Sequence, residues 1–263
     1  MSLVQNARLE DDPFPLRGRT AVVTGAAGGI GQAIARSLQR AGARVASIDT
    51  RESVLRADRT ATTAPGADAL GIVADVTDVQ ALHRARDTVH RAWGRVDLVV
   101  ANAGVMFGAP FERASEAQWA QMVDVNLVGS VNTARVFVDD LLRAADEELA
   151  TDLVLIGSVA SHLLLPEFSV YAATAAARAH LARTLRAELS GRGVRVRHVE
   201  PGTTLTALGS EIDDEVAQER LRRLRAVERP LTPEDVAHSV LFAASMPAHV
   251  NVAEIVVMPT RQV

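Results

Sequence analysis

The 263-residue chain contains neither cysteine nor lysine. The lack of cysteine excludes disulfides, thiolate metal sites and a cysteine nucleophile. The lack of lysine means that all 28 basic residues are arginines. Aromatic residues make up only 3% of the chain, and Tyr171 is its single tyrosine. No apolar run reaches the roughly 18 residues that a membrane-spanning helix needs, so no membrane partner is expected.

The charge balance is mildly acidic, with a formal net charge of -4. Such a balance gives no support to the binding of nucleic acid or of an anionic membrane surface. With 48% hydrophobic residues, the chain can bury the core of one sizeable α/β domain. The polar stretch before Arg19 lacks the apolar segment of a signal peptide, which favours a cytoplasmic location. We expect a loose N-terminal arm over residues 1–17 and one domain over residues 18–263.

Apolar strand-like runs alternate with helical patterns from Thr20 almost to the end of the chain. This alternation predicts an α/β fold: a single-domain, Rossmann-type, doubly wound, seven-stranded parallel sheet with helices on both faces. The predicted strands are Thr20–Val23, Arg44–Ile48, Leu70–Ala74, Val96–Val100, Leu153–Ile156, Val194–Val199 and Ile255–Val257. The predicted helices cover Gln32–Leu38, Gln80–Trp93, Glu116–Glu148, Ser169–Leu189, Glu211–Glu228 and Pro233–Ser245.

A glycine-rich loop joins the first predicted strand to the first helix, with the sequence Thr24-Gly25-Ala26-Ala27-Gly28-Gly29-Ile30-Gly31. Glycines let the backbone turn sharply and let a pyrophosphate approach main-chain N–H groups. The helix start adds unpaired donors and the positive end of the helix dipole. Asp49 ends the next apolar run 18 residues after Gly31, close to where a ribose-binding carboxylate is expected. The loop and this spacing predict a dinucleotide site.

Polar residues follow five of the predicted strands, namely Asp49, Asp75, Asn102, Ser158 and Pro201-Gly202. Ligands of open parallel sheets lie beyond the carboxyl ends of the strands, so these residues are candidates for one site. Ser158 and Tyr171 are the reactive candidates there, since a tyrosine hydroxyl can exchange a proton with an alcohol or carbonyl oxygen. Its pKa is near 10 in water, so it needs a nearby cation to work near neutral pH. Asn126 lies on an apolar helix face, where its amide needs a partner. No metal-ligand spacing is present among the seven histidines.

Together these motifs resemble the short-chain dehydrogenases/reductases over about residues 18 to 263, and Ser158 precedes Tyr171 by that family's 13 residues. The resemblance implies hydride transfer between a nicotinamide cofactor and a small alcohol or carbonyl substrate. It implies that Tyr171 is the acid/base, that Ser158 orients the substrate oxygen, and that Asn126 holds a water in a proton relay. The implied cofactor-binding residues are Thr24, Gly25, Ala27, Gly28, Gly29, Ile30, Gly31, Asp49, Asp75, Val76, Asn102, Ala103, Gly104, Tyr171, Pro201, Gly202, Thr203, Thr204 and Thr206.

The chain departs from the family at one catalytic position, because the family's Tyr-x-x-x-Lys ends here in Ala175. A spacing of four puts both side chains on one helix face, where the lysine would lower the tyrosine pKa and hold the nicotinamide ribose. Alanine can do neither. Arg178 and His180 lie on other turns and are expected to be poor substitutes. Ala175 is therefore either an engineered replacement of the lysine or a natural variant with lost or altered chemistry, and this form of the enzyme is expected to be impaired or inactive.

Further expectations concern the cofactor, the assembly and the subgroup. Asp49 can accept both ribose hydroxyls of NAD and would repel a 2′-phosphate, so NAD is preferred to NADP as the cofactor.

Family members pair the Ser169–Leu189 and Glu116–Glu148 helices across a two-fold axis, which implies a homo-oligomer, a tetramer or a dimer. Short segments at Glu200–Thr204 and Pro259–Val263 resemble the clavulanate-pathway aldehyde reductase and related 3-hydroxy acid dehydrogenases. Two alternative functions stay open: a cofactor-binding pseudoenzyme, and a non-redox lyase or isomerase on the same scaffold.

Overall fold

The computed structural model describes residues 15–52 and 68–262. The seven strands are β1 (Thr20–Thr24), β2 (Arg44–Asp49), β3 (Ala69–Val73), β4 (Leu98–Ala101), β5 (Thr151–Ile156), β6 (Val194–Pro201) and β7 (Glu254–Val257). The α-helices are α1 (Gly29–Arg40), α2 (Val79–Trp93), α3 (Glu116–Met122), α4 (Gly129–Asp146), α5 (Ser169–Leu189), α6 (Glu215–Arg225) and α7 (Pro233–Ala244).

The strands form one sheet in the order β3-β2-β1-β4-β5-β6-β7, and every pairing between them is parallel. The order reverses direction between β1 and β4, which makes the edge above these two strands the point where a doubly wound sheet opens a ligand crevice. The predicted single-domain, Rossmann-type α/β fold is confirmed.

Alternate residues of the central strands face opposite helical layers, as the two-residue period of a strand requires. Val23, Val100 and Val154 pack in one fully buried cluster with α1 and α7. Their neighbours Val22 and Val99 pack in a second cluster with α2, α4 and α5. A strand buried on both faces reads as a continuous apolar run, which is why apolar runs locate these strands in the sequence.

The helix predicted over Glu116–Glu148 is present but not uniform. A π-helical turn at Val123–Val128 separates α3 from α4. Such turns shift the helix face and are frequent at functional sites. Thr232 is the N-cap of α7, with its hydroxyl accepting from Asp235 N at 3.3 Å.

The N-terminal arm predicted over residues 1–17 lies mostly outside the described residues. Leu16, within that range, is buried in the core beside α1 and donates its N–H to Ala41 O at 2.9 Å. The packed domain therefore includes Leu16. None of the described helices has the length and apolar character to cross a membrane.

Buried charges cluster at the amino edge of the sheet, opposite the ligand crevice. Asp152 accepts from Arg195 Nε at 2.8 Å, from Arg19 Nη2 at 2.9 Å and from Arg197. Asp97 accepts from Arg19 Nε at 2.5 Å. Because the two carboxylates begin β4 and β5 and the arginines begin β1 and β6, this network joins four strands.

Candidate active site

A cavity of about 590 Å³ opens at the carboxyl ends of the central strands. Most of the predicted site residues line it, namely Gly25, Gly28, Gly29, Ile30, Gly31, Asp49, Asp75, Val76, Asn102, Ala103, Gly104, Asn126, Ser158, Tyr171, Ala175 and Thr206. The fold therefore brings together residues that are separated by more than 180 positions in the sequence.

The glycine loop is held in a shape that only glycine permits at two positions. Gly25 has φ of +64°, a left-handed conformation that side chains rarely adopt. A Cβ on Gly31 would lie 2.2 Å from Gly25 O and 2.6 Å from Asn102 Nδ2. Helix α1 begins at Gly29, and no side chain caps its N-terminus. Its first N–H groups and its dipole are thus available to an anion.

Asp49 ends β2 beside this loop and is buried. Its Oδ2 accepts from Ala27 N at 3.0 Å, and its Oδ1 accepts from Arg51 N at 3.0 Å and from Arg51 Nε at 3.2 Å. The carboxylate thus stands where the sequence predicts a ribose acceptor. The half-exposed Arg51 pairs with it and also lines the cavity.

Asn102 ties the end of β4 to the glycine loop. Its Nδ2 donates to Thr24 O at 3.0 Å and to Gly25 O at 3.1 Å, and its main-chain N–H donates to Thr24 Oγ1 at 3.1 Å. Thr24 itself is buried beneath the loop and does not line the cavity. Asp75, after β3, accepts from both the N–H and the hydroxyl of Thr77 at 2.8 Å. These bonds fix the loops that form one wall of the cavity.

Asn126 lies in the π turn, fully buried, and its amide has the partners that its burial demands. Its Oδ1 accepts from Val105 N at 2.8 Å. Its Nδ2 donates to Val105 O at 3.0 Å and to Thr174 Oγ1 at 3.1 Å. The side chain therefore links the loop after β4 to helix α5, one turn from Tyr171. Its implied role in holding a relay water stays a prediction.

Ser158 and Tyr171 face the same cavity from β5 and α5. The Ser158 hydroxyl accepts from Ala160 N at 3.1 Å, which fixes its position just beyond the strand. Burial raises the pKa of the Tyr171 phenol above its ordinary value, while the Ser158 hydroxyl and the positive charge of Arg178 act in the opposite direction. The two predicted reactive side chains thus interact directly.

Arg178 occupies a place that the sequence argument did not give it. Although it lies seven residues beyond Tyr171, it lines the same cavity and is buried. Its Nη2 donates to Ala101 O at 2.9 Å and its Nη1 to Ala103 O at 3.4 Å. Arg178, which its place on another turn predicts to be a poor substitute for the lysine, thus reaches the cavity because its long side chain extends to the end of β4. His180, in contrast, is exposed and does not line the cavity.

The segment after β6 contributes less than expected. Pro201, Gly202, Thr203 and Thr204 do not line the cavity, and neither does Ala27. The Thr203 N–H donates to Gln262 Oε1 at 2.7 Å, and the Thr204 hydroxyl donates to Gly202 O at 3.0 Å. Only Thr206 and the residues that follow it reach the wall. A cofactor-binding role for the four residues from Pro201 to Thr204 stays a prediction.

These features fit a dinucleotide. Gly31 packs so closely against Gly25 and Asn102 that a Cβ would not fit, which holds the glycine loop beside the uncapped N-terminus of α1. Asp49 and Asn102 stand at the adjoining strand ends. Within the described residues there is no cluster of three or more histidine, aspartate or glutamate side chains that could hold a metal ion.

Several lining residues were not found from the sequence, including Arg51, Val105, Met106, Phe107, Thr174 and Leu208. Arg178 carried the clearest available signal, because a spacing of seven returns to the same helix face after two turns. The apolar residues carried none. Their side chains reach the cavity through loop conformations that no local pattern encodes.

Fold and site together define a Rossmann-type dehydrogenase. The chain belongs to the short-chain dehydrogenase/reductase family: the family model described as short chain dehydrogenase matches residues 19–217. It is thus an oxidoreductase of the NAD(P)-dependent short-chain type.

Named relatives agree with this assignment. A glycine betaine reductase of Emericella nidulans is 35% identical over 246 residues, which are 93% of this chain but only 19% of that longer protein. A probable NADP-dependent dehydrogenase of Haemophilus influenzae is 34% identical, covering 94% of this chain and 96% of the relative. The structure of an alcohol dehydrogenase from Thermococcus sibiricus, complexed with 5-hydroxy-NADP, superposes with a TM-score of 0.77 at 27% identity, covering 93% and 97% of the two chains.

Proposed function

We propose that this protein interconverts a small alcohol and the corresponding ketone or aldehyde, with Tyr171 as the acid/base. The observation that carries the proposal is the meeting of Ser158 and Tyr171 in the cavity that the glycine loop also lines. A proton-exchanging hydroxyl and a dinucleotide cradle in one cavity are the two parts that such a reaction needs.

Different residues of the chain would bind the cofactor, orient the substrate and exchange the proton. The glycine loop, the N-terminus of α1, Asp49 and Asn102 would hold the dinucleotide, whose nicotinamide supplies or accepts the hydride when bound. The Ser158 hydroxyl donates a hydrogen bond to the substrate oxygen and orients it. The Tyr171 hydroxyl gives that oxygen a proton in the direction of reduction and removes it in oxidation.

We propose NAD as the preferred cofactor, with NADP less favoured. The buried Asp49 carboxylate supports this choice because it accepts hydrogen bonds and would repel a phosphate. Arg51 opposes it in part, since its guanidinium lies against Asp49 and could meet a phosphate.

The substrate is proposed to be a small molecule, because the cavity also has to hold the nicotinamide. Met106, Phe107 and Leu208 give part of the wall an apolar character. Membership of the subgroup of clavulanate-pathway aldehyde reductase and 3-hydroxy acid dehydrogenases is proposed only from the segments at Glu200–Thr204 and Pro259–Val263. The last residue of the second segment lies outside the described residues.

We also propose that the chain assembles as a homo-oligomer, a tetramer or a dimer, through α4, the π turn and α5. Val123, Val128 and Val131 expose apolar side chains along the first two of these elements. Exposed apolar side chains on neighbouring elements are typical of surfaces that another chain covers.

The functional proposal is tested by following nicotinamide absorbance with a panel of alcohols, ketones and aldehydes. We expect weak turnover by the chain as it stands, because position 175 lacks the lysine, and a further loss of about a hundredfold or more in Tyr171→Phe, because that variant removes the proton carrier at the substrate oxygen. Ser158→Ala should lose activity to a similar degree while it binds the cofactor as the unchanged chain does.

The alternatives give different results in the same assay. Cofactor binding without turnover of any compound would contradict the proposal and favour the pseudoenzyme, which the alanine at position 175 already suggests. Conversion of a substrate without a net change in nicotinamide absorbance would favour a lyase or isomerase.

A further inference from the structure

We infer that Arg178 is a positioning residue for Tyr171, supplying from within helix α5 the positive charge that Ala175 cannot supply. This inference rests on the proposed function, since it assigns a role in proton exchange at Tyr171. It concerns a residue that lies outside the Tyr-x-x-x-Lys pattern.

The placement of the guanidinium is set by the end of β4. Its Nη2 and Nη1 donate to the carbonyls of Ala101 and Ala103 at 2.9 Å and 3.4 Å. A Cβ on Gly104 would lie 3.6 Å from Arg178 Nη1 and 3.3 Å from Asn126 Oδ1. The cation therefore stands next to the asparagine that links this loop to helix α5.

The helix directs the side chain toward Tyr171. Positions 171, 175 and 178 share one face, and long side chains on a helix lean toward its N-terminus. Ala175, buried between the other two, has only a methyl group and leaves the space on that face open. A lysine at position 175 would place a second positive charge in the region that the guanidinium occupies.

Among the described residues, Arg178 is a buried cation without a counter-ion. No carboxylate within the parts of the chain that the structure describes forms an ion pair with it, and its Nε has no hydrogen-bond partner there. Burial lowers the pKa of Arg178 to about 10, and the neighbouring Tyr171 phenol acts against this shift. A buried charge is costly unless a nearby group gains from it, and the phenolate of Tyr171 is the anion that it can stabilise.

The other titratable groups near the pair do not replace this charge. His198 on β6 faces Arg178, but burial lowers its pKa to about 4, so it is neutral at working pH. Asp49, Asp75 and Glu211 also line the cavity, yet none of them shifts the pKa of Tyr171. From β4 and the π turn, Arg178 meets main-chain carbonyls and the Asn126 amide, which do not titrate.

The chain offers a direct measurement, because Tyr171 is its only tyrosine. The ultraviolet absorbance of the phenolate, recorded against pH after rapid pH jumps, reports the ionisation of this one side chain before the protein can unfold. The full-length chain is used without cofactor or substrate. Failure of this test is thereby separate from failure of the proposed hydride transfer.

Two neutral variants separate charge from structure. Arg178→Gln keeps amide donors for the carbonyls of Ala101 and Ala103, whereas Arg178→Met keeps only an apolar chain. We expect both to raise the midpoint of Tyr171 ionisation by roughly one to two pH units, from the loss of a charge at intermediate effective dielectric. Arg178→Lys should leave the midpoint near its native value. Arg183→Met is the matched control, because Arg183 lies on the same helix but pairs with Glu254 on the surface.

The test also includes a rescue. Adding Ala175→Lys to Arg178→Gln returns a cation to the same helix face, and we expect it to restore the native midpoint or lower it. The pH profile of turnover should shift to alkaline pH in Arg178→Gln and return in the double variant. An unchanged midpoint in a folded neutral variant would overturn the inference. So would a failure of the neutral variants to fold that Ala175→Lys does not repair, since Arg178 would then be structural.

Discussion

Asp49 and its partner Arg51 act in opposite directions on the choice between NAD and NADP. Its carboxylate is bound by the loop N–H of Ala27 and by Arg51, so it is both fixed in place and partly neutralised. The Asp49 carboxylate would repel a 2′-phosphate, and the Arg51 guanidinium would attract it. Since Asp49 is buried and Arg51 is half-exposed, the fixed carboxylate should dominate.

We therefore expect NADH to bind more tightly than NADPH. Asp49→Asn should shift the ratio of the two affinities toward NADPH by roughly tenfold, which corresponds to about 1.4 kcal/mol. Arg51→Gln should shift it the other way. Parallel fluorescence titrations of NADH and NADPH measure both, and tighter NADPH binding by the native chain would contradict the expectation.

At the level of residues, the sequence predicted that Ser158, Tyr171 and Asn126 belong to one site, and the structure brings these three side chains to one cavity. Ser158, Tyr171 and Asn126 could be predicted because each lies at a fixed position relative to a strand end or a helix face. The position of Arg178, two turns beyond Tyr171, did not predict that its long side chain reaches the cavity. Whether the Arg178 side chain reaches the cavity depends on its burial and on its hydrogen bonds to the carbonyls of Ala101 and Ala103. These two residues lie 75 or more positions away in the sequence.

The loop between β1 and α1 is the element on which cofactor binding depends most. Its shape is fixed by close backbone contacts rather than by side chains, since Gly31 lies against Gly25 and Asn102. The sequence predicts this element well because glycine spacing expresses a local steric requirement. The π turn at Val123–Val128 could not be predicted in the same way. It accompanies the burial of Asn126 against the backbone of Val105, which is a contact between distant segments.

Gly31→Ala tests the requirement for close contact. The added methyl group would lie 2.2 Å from a backbone oxygen and 2.6 Å from an amide nitrogen, so the loop has to move. We expect a stability loss of about 1–3 kcal/mol and a large loss of cofactor affinity.

Gly28→Ala is the matched control for stability. There the nearest atom is 3.3 Å away and the backbone φ is -80°, which alanine adopts readily. Denaturant unfolding and NADH titration measure the two effects. Equal stability of the two variants, with native affinity in Gly31→Ala, would show that the loop is not held by this contact.

On the scale of the whole molecule, the two edges of the sheet are built differently. The amino edge holds the buried network of Asp97, Asp152 and their arginines, whereas the carboxyl edge holds glycines, amides and loops. Burial, together with the charge of Arg19, lowers the pKa of Arg195 and of Arg197 to about 10. Alternation of strands and helices predicted the sheet, but the partners of Asp152 depend on strand order and could not be predicted from it.

The exposed valines on the π turn and α4 bear on the assembly of the whole molecule, because another copy of the chain would cover them. Val131 on α4 is 42% exposed, and Val216 on α6 is 46% exposed. If the predicted assembly uses α4 and α5, Val131→Glu should dissociate it by placing a charge in an apolar contact, while Val216→Glu should not. Light scattering at micromolar concentration measures the mass. A native chain that is monomeric under these conditions would contradict the prediction.

The cation beside Tyr171 is a guanidinium in a chain that has no lysine at all. Imines form between a carbonyl carbon and an unprotonated primary amine, and a buried lysine can supply such an amine because its pKa falls readily. A guanidinium is not a primary amine and keeps its proton. An aldehyde or ketone held against Tyr171, as the proposed function requires, therefore meets a positive charge that does not trap it as an imine, and the chain has no lysine amine or cysteine thiol to form such an adduct elsewhere.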